Sequence, residues 1–107
     1  MSFDFKKFYT EQIEFYTRQN GFCRRQIEYY SREIKRSRES DKALKEYALS
    51  ERPEDPWTQK IYGGKYVSSE TRKYINTRAR CYREIKRNNG RIEKYTKELK
   101  KYGREEQ

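Results

Sequence analysis

Hydrophobic positions in this chain recur at alternating steps of three and four along two separate stretches. The first carries Tyr9, Ile13, Tyr16, Asn20, Cys23, Ile27, Tyr30 and Ile34, and the second Tyr74, Arg78, Cys81, Ile85, Asn88, Ile92, Tyr95 and Leu99. This spacing is the seam of a coiled coil, because a and d positions of a heptad stay on one side of a helix. Each seam holds one asparagine. Between them, Pro53-Glu-Asp-Pro56 breaks the first helix, since proline lacks a backbone donor and restrains the residue before it. The pattern predicts an all-α fold: an antiparallel two-helix coiled-coil hairpin with an irregular Pro/Gly-containing connector, one domain over residues 1–107.

Helix one is expected to open near Ser2 or Asp4, either of which can cap it, and to reach about Ala48. In the connector, residues 49–68, Gly63-Gly64 opposes a stable helix and Lys65-Tyr66-Val67 reads as extended. Trp57, Ile61, Tyr62 and Tyr66 give this segment apolar surface with which to fold back along Leu44, Tyr47 and Ala48. Ser68 or Ser69 caps helix two, with acidic Glu70 in its first turn. That helix is expected to run to about Tyr102 and stop at Gly103, leaving a frayed tail over 103–107. Gly21 and Gly90 lie inside the helices at a cost of about 1 kcal/mol each against alanine. The seam keeps its phase through both, which predicts a local kink or a close helix approach there. Arg32-Glu-Ile-Lys-Arg36 recurs as Arg83-Glu-Ile-Lys-Arg87 in the same seam phase, an echo that either chance or duplication of one helix would produce.

The two seams select a register. Folding the chain about Pro53–Pro56 sets Tyr9 against Leu99, Ile13 against Tyr95, Tyr16 against Ile92, Asn20 against Asn88, Cys23 against Ile85, Ile27 against Cys81 and Ile34 against Tyr74. A shift of one heptad would oppose Asn20 to Cys81 or Tyr95. The buried amide would then lack an amide partner, at about 1–3 kcal/mol per unsatisfied group. Beyond Ile34 the layers lose apolar character: Ser37 faces Thr71, and Asp41 faces Val67.

Composition narrows the chemistry. With 32% hydrophobic and 41% charged residues, the composition disfavours a wide globular core, yet the 16% aromatic content is unlike a disordered chain. No apolar run approaches the length of a membrane span, and the first residues lack the apolar core of a secretory signal. With two cysteines and no histidine, neither a zinc site nor a histidine-activated nucleophile can be assembled. Basic neighbours flank both cysteines (Arg24 and Arg25; Arg80 and Arg83), but small apolar seam residues in a reducing compartment account for them better. Cytoplasm, nucleus and organelle matrix fit equally. Gly63-Gly-Lys65 lacks the Ser or Thr that would follow in a phosphate loop, its place being taken by Tyr66. The expectation is a non-enzymatic protein with no catalytic residue, cofactor or metal site.

Two surfaces exceed what a hairpin needs. Phe8, Phe15, Phe22 and Tyr29 recur every seven residues, each one before a seam position, and form a row well over 100° around the helix from the seam midline. Four rings offer roughly 600–1,000 Å² of burial, a patch that a soluble monomer rarely leaves open. The row is therefore a candidate docking face for a partner helix, and self-association through it is equally consistent. The second surface is basic. Arg72, Lys73, Arg78, Arg80, Arg83, Lys86, Arg87 and Arg91 stand against a lone Glu84 and supply most of the chain's net charge of +10. Apart from Arg78, which occupies the seam, most of them project away from it. An ordinary solvated face mixes signs, so this stripe points to an acidic protein or to RNA or DNA. The expected function is a structural or accessory subunit that binds protein partners in a larger assembly through these two faces. The alternative is an RNA- or DNA-binding protein of a ribonucleoprotein or nucleoprotein complex, using the stripe on helix two.

Overall fold

The computed structural model describes residues 3–105. They form three helices, α1 (Phe5–Glu51), α2 (Pro56–Tyr62) and α3 (Ser69–Glu105), with no strand among the described residues. The fold is all-α. No helix among the described residues is long and apolar enough to cross a membrane. Asp4 caps α1, its carboxylate accepting the Lys7 N–H at 3.0 Å while its carbonyl takes the Phe8 N–H; Ser2 lies outside the described residues. Ser68 caps α3 in the same way, its hydroxyl accepting the Thr71 N–H at 3.2 Å.

The chain divides into two compact units. One combines the described residues up to Ile27 with those from Arg80 onward, and the other is Glu28–Ala79. In the first, α1 and α3 run in opposite senses: Phe5 stacks on Tyr102, Tyr16 on Tyr95, and Asn20 bonds Asn89. In the second, Tyr30 meets Tyr74, Arg78 donates to the Ser31 hydroxyl at 3.2 Å, and Ser37 bonds Thr71. The seam's burial matches its spacing, since every residue of both stretches is buried or half-buried. A pair of helices encloses little, however, and Cys23 and Ile34 are its fully buried apolar residues. Aromatic edges and stacks take up the rest: tyrosine is long enough to pack its ring in the seam and keep its hydroxyl in water.

Four expectations change. First, the buried amide of Asn20 donates to Asn89 Oδ1 at 2.8 Å rather than to Asn88, although Asn20 and Asn88 are only 2% and 1% exposed. Asn88 Oδ1 instead accepts from Arg91 at 3.5 Å. Second, the connector contains α2. Its carboxylate cap Asp55 accepts from the Thr58 N–H and hydroxyl at 3.1 and 2.9 Å, and Pro56 sits where a helix needs no backbone donor. Third, the connector returns beside α1 with its apolar side chains only partly covered, Tyr62, Tyr66 and Val67 being half-buried, as is Ala48 of α1. Lys45 Nζ donates to the Gly64 carbonyl at 2.6 Å, whereas Trp57 stays 66% exposed beneath Lys60 and Leu44 and Tyr47 remain open; the buried residue of α2 is Thr58. A helix two turns long presents one narrow face, and its N-cap fixes that face on Thr58. Fourth, Gly103 does not end α3, which continues to Glu105, because no glycine adopts the positive φ that terminates a helix. Of the expected frayed tail, residues 106–107 lie outside the described residues. Gly21 and Gly90 mark no close approach: a Cβ at Gly90 would meet nothing within 4 Å, and one at Gly21 only the Arg25 side chain at 3.7 Å.

Candidate functional site

The heptad that builds the seam of α1 also fixes what stands outside it. Phe8, Phe15 and Phe22, in the first unit, are exposed, Phe22 to 53%, whereas their seam neighbours Tyr9, Tyr16 and Cys23 are buried or half-buried. Tyr29, at the start of the second unit, is also exposed. The rings are held rather than loose. Phe8 meets Tyr9 edge-on and Tyr95 of α3 at 6.4 Å, and Phe15 meets Tyr16 edge-on at 5.2 Å. Phe8 and Phe15 thus touch the seam and still stay partly open to solvent.

Sequence spacing passes over two further columns of the same heptad. Gln12, Gln19 and Gln26 lie four residues after Phe8, Phe15 and Phe22, between the row and the seam. Glu11, Arg18 and Arg25 lie three residues after the same phenylalanines, on the far side. Their recurrence at seven was the available signal. Glu11 approaches Lys7 at 4.0 Å, but Arg18 and Arg25, both exposed, have no acidic partner among the described residues. From α3, Arg91 lies over the Tyr16 ring at 5.0 Å.

The basic stripe lies in the open. Arg80, Arg83, Lys86, Arg87 and Arg91 are exposed in the first unit, as are Arg72 and Lys73 in the second. Arg87 contacts Glu84 at 3.5 Å and Arg91 is engaged with Asn88 and Tyr16, which leaves Arg80, Arg83 and Lys86 without acidic partners among the described residues. Arg78 is half-buried and satisfied by Ser31 instead of an acid.

Among the described residues, one thiol, Cys23, and one carboxylate, Asp41, are buried. Burial pushes the Cys23 thiol up, with smaller contributions in the same direction from Cys81 and Glu84 nearby; both cysteines are free. In the second unit, Asp41 is buried and accepts the Ser68 N–H at 3.1 Å and the Thr71 hydroxyl at 2.7 Å. Desolvation alone would raise its carboxyl, but the hydrogen bonds from Thr71 and Ser68 outweigh it and hold it below the usual range. An open cleft of about 330 Å³ lies beside this group, lined among others by Glu33, Arg36, Tyr66 and Glu70. Among the described residues, no three His, Cys, Asp or Glu side chains converge as metal ligands would. Compared with known proteins, the chain matches no family model, no curated protein and no solved structure.

Proposed function

We propose that the chain is a non-enzymatic structural or accessory subunit, which binds protein partners in a larger assembly through the aromatic face of α1 and the basic face of α3. The observation that carries this reading is the contrast along α1. Phe8, Phe15 and Phe22 stand exposed at heptad spacing while each following residue is buried or half-buried in the seam. Apolar rings in such order need a partner to leave water, and folding the hairpin does not supply one. The raised thiol of Cys23 suits a packing role in a reducing compartment rather than a nucleophile. Affinity purification from the native source tests the reading. Phe15→Ala with Phe22→Ala should release the bound protein, nuclease should not, and retention of every partner by this variant would overturn it.

A second reading, RNA or DNA binding, rests on Arg80, Arg83 and Lys86, which are exposed without acidic partners among the described residues. It expects affinity to fall steeply with salt, each neutralised phosphate adding about 0.7–0.9 to the log–log slope. Arg80→Glu with Arg83→Glu should then abolish binding that the phenylalanine changes leave intact.

A further inference from the structure

We infer that the row Phe8, Phe15 and Phe22 takes an acidic amphipathic helix, with apolar residues at heptad spacing and Asp or Glu along the edge that meets Arg18, Arg25 and Arg91. This rests on the partner-binding reading above and names the chemistry of the partner. Periodicity selects a helix. The rings stand seven residues apart on a regular helix, about 10.5 Å per step. Another helix carries apolar side chains at that same repeat, whereas an extended strand or a nucleotide chain repeats on shorter steps. Seen from the row, Gln12, Gln19 and Gln26 take the a positions of a second seam and the phenylalanines its d positions, so α1 offers a broad bundle-type face rather than the narrow stripe of a two-stranded coil. The glutamines place amides, not charges, between the two seams, so a helix can lie close to the hairpin without burying an ion.

Charge selects the sign. Arg18 and Arg25 flank the row from α1, and Arg91 of α3 lies over Tyr16, the seam ring that Phe15 meets at 5.2 Å. Two acids stand nearby: Glu11 beside Lys7, and Glu14 in the same shallow cleft as Phe15 and Arg18, and neither forms an ion pair with Arg18 or Arg25 among the described residues. A second copy of this chain, itself at +10, would bring like charge against these arginines. Three rings, 36%, 44% and 53% exposed, still offer roughly 200–330 Å², the apolar centre of one side of a standard interface at about 800 Å² per partner; the flanking glutamines and arginines supply the rest, and a helix of three heptads covers them.

The test uses the full chain and fluorescein-labelled helical peptides of three heptads, with Leu at a and d and either Glu or Lys at the flanking positions, read by anisotropy. The acidic peptide should bind. Its Kd should rise about tenfold or more in Phe15→Ala with Phe22→Ala, and several-fold in Arg18→Glu with Arg25→Glu, with the far-ultraviolet circular dichroism of each variant unchanged. Equal binding of the Lys peptide, binding indifferent to the phenylalanines, no binding, or a dimer of the chain alone that dissolves in Phe15→Ala would each overturn the inference. If the native partner is released by the phenylalanine changes but no acidic peptide binds, this inference falls and the partner-binding reading stands. If that variant releases nothing, the reading falls as well.

Discussion

At the scale of single residues, the two seam asparagines carry the most consequence. Asn20 Oδ1 and Asn88 Nδ2 are buried without a hydrogen-bond partner. One is an acceptor and the other a donor, so the orphans are complementary, and neither is compensated by the bonds to Asn89 and Arg91. A buried amide lowers stability and fixes register, because every shifted alignment leaves it worse served. The prediction follows from the asymmetry between losing one partner and losing both. Asn20→Leu with Asn88→Leu should raise the melting temperature, with a gain of about 1–3 kcal/mol in stability. The same change should let the hairpin slip or associate, seen as added species in sedimentation velocity. Loss of stability in the double variant would show that these amides hold the hairpin together rather than align it.

At the scale of elements, the start of α3 is tied to α1 by a closed polar circuit. The Thr71 hydroxyl donates to Asp41 and accepts from Ser37 and Ser68, while Ser68 in turn accepts the Thr71 N–H. Where the seam runs out of apolar residues, these bonds continue the pairing. Asp41 keeps its charge because its bonds favour the carboxylate, so its folded pKa lies below the unfolded value of about 3.9. A lowered carboxyl contributes stability that is present above the unfolded pKa and is lost as pH falls through the folded one. Asp55, lowered by its bonds from Thr58, acts in the same direction at the cap of α2. Thermal melts between pH 7 and pH 2 should therefore lose stability below about pH 4. Asp41→Asn should be less stable at pH 7 and lose less on acidification; an unchanged acid slope would remove Asp41 from the account. The end of α2 permits a sharper comparison. A Cβ at Gly63 would run into the Gln59 carbonyl that the Gly63 N–H caps, whereas one at Gly64 would meet nothing within 4 Å. Gly63→Ala should cost on the order of 1–3 kcal/mol, as for an overpacked contact, and Gly64→Ala well under 1 kcal/mol, both measured by urea titration.

At the scale of the whole chain, the two long helices and their seam were legible because a heptad needs only residue spacing to declare itself. The aromatic row was legible for the same reason. What escaped was set by single contacts. The Asp55-Pro56 start of α2 was a readable cap hidden by the nearby glycines, the exposure of Trp57 followed from where that cap turned the helix, and Asn89 displaced Asn88 by one residue. Charge belongs to this scale too, since no pair accounts for it. Among the described residues, the ion pairs found join side chains three or four residues apart, each with a well-exposed cation, so each contributes little. Against them stands a net charge of +10, with Arg80, Arg83 and Arg87 as successive like-charged neighbours on one helix. Self-repulsion destabilises the folded state, and salt screens it. Raising sodium chloride from about 0.01 to 0.5 M, where the Debye length shrinks from about 30 Å to a few ångströms, should raise the melting temperature by a few degrees. Arg83→Glu should raise it at low salt and flatten the dependence, because the change removes a repelling charge and sets a carboxylate between Arg80 and Arg87. A melting temperature that falls with salt would mean that attraction between exposed charges outweighs repulsion. The stripe would then be part of what holds the fold, leaving less of it free to meet an acidic partner.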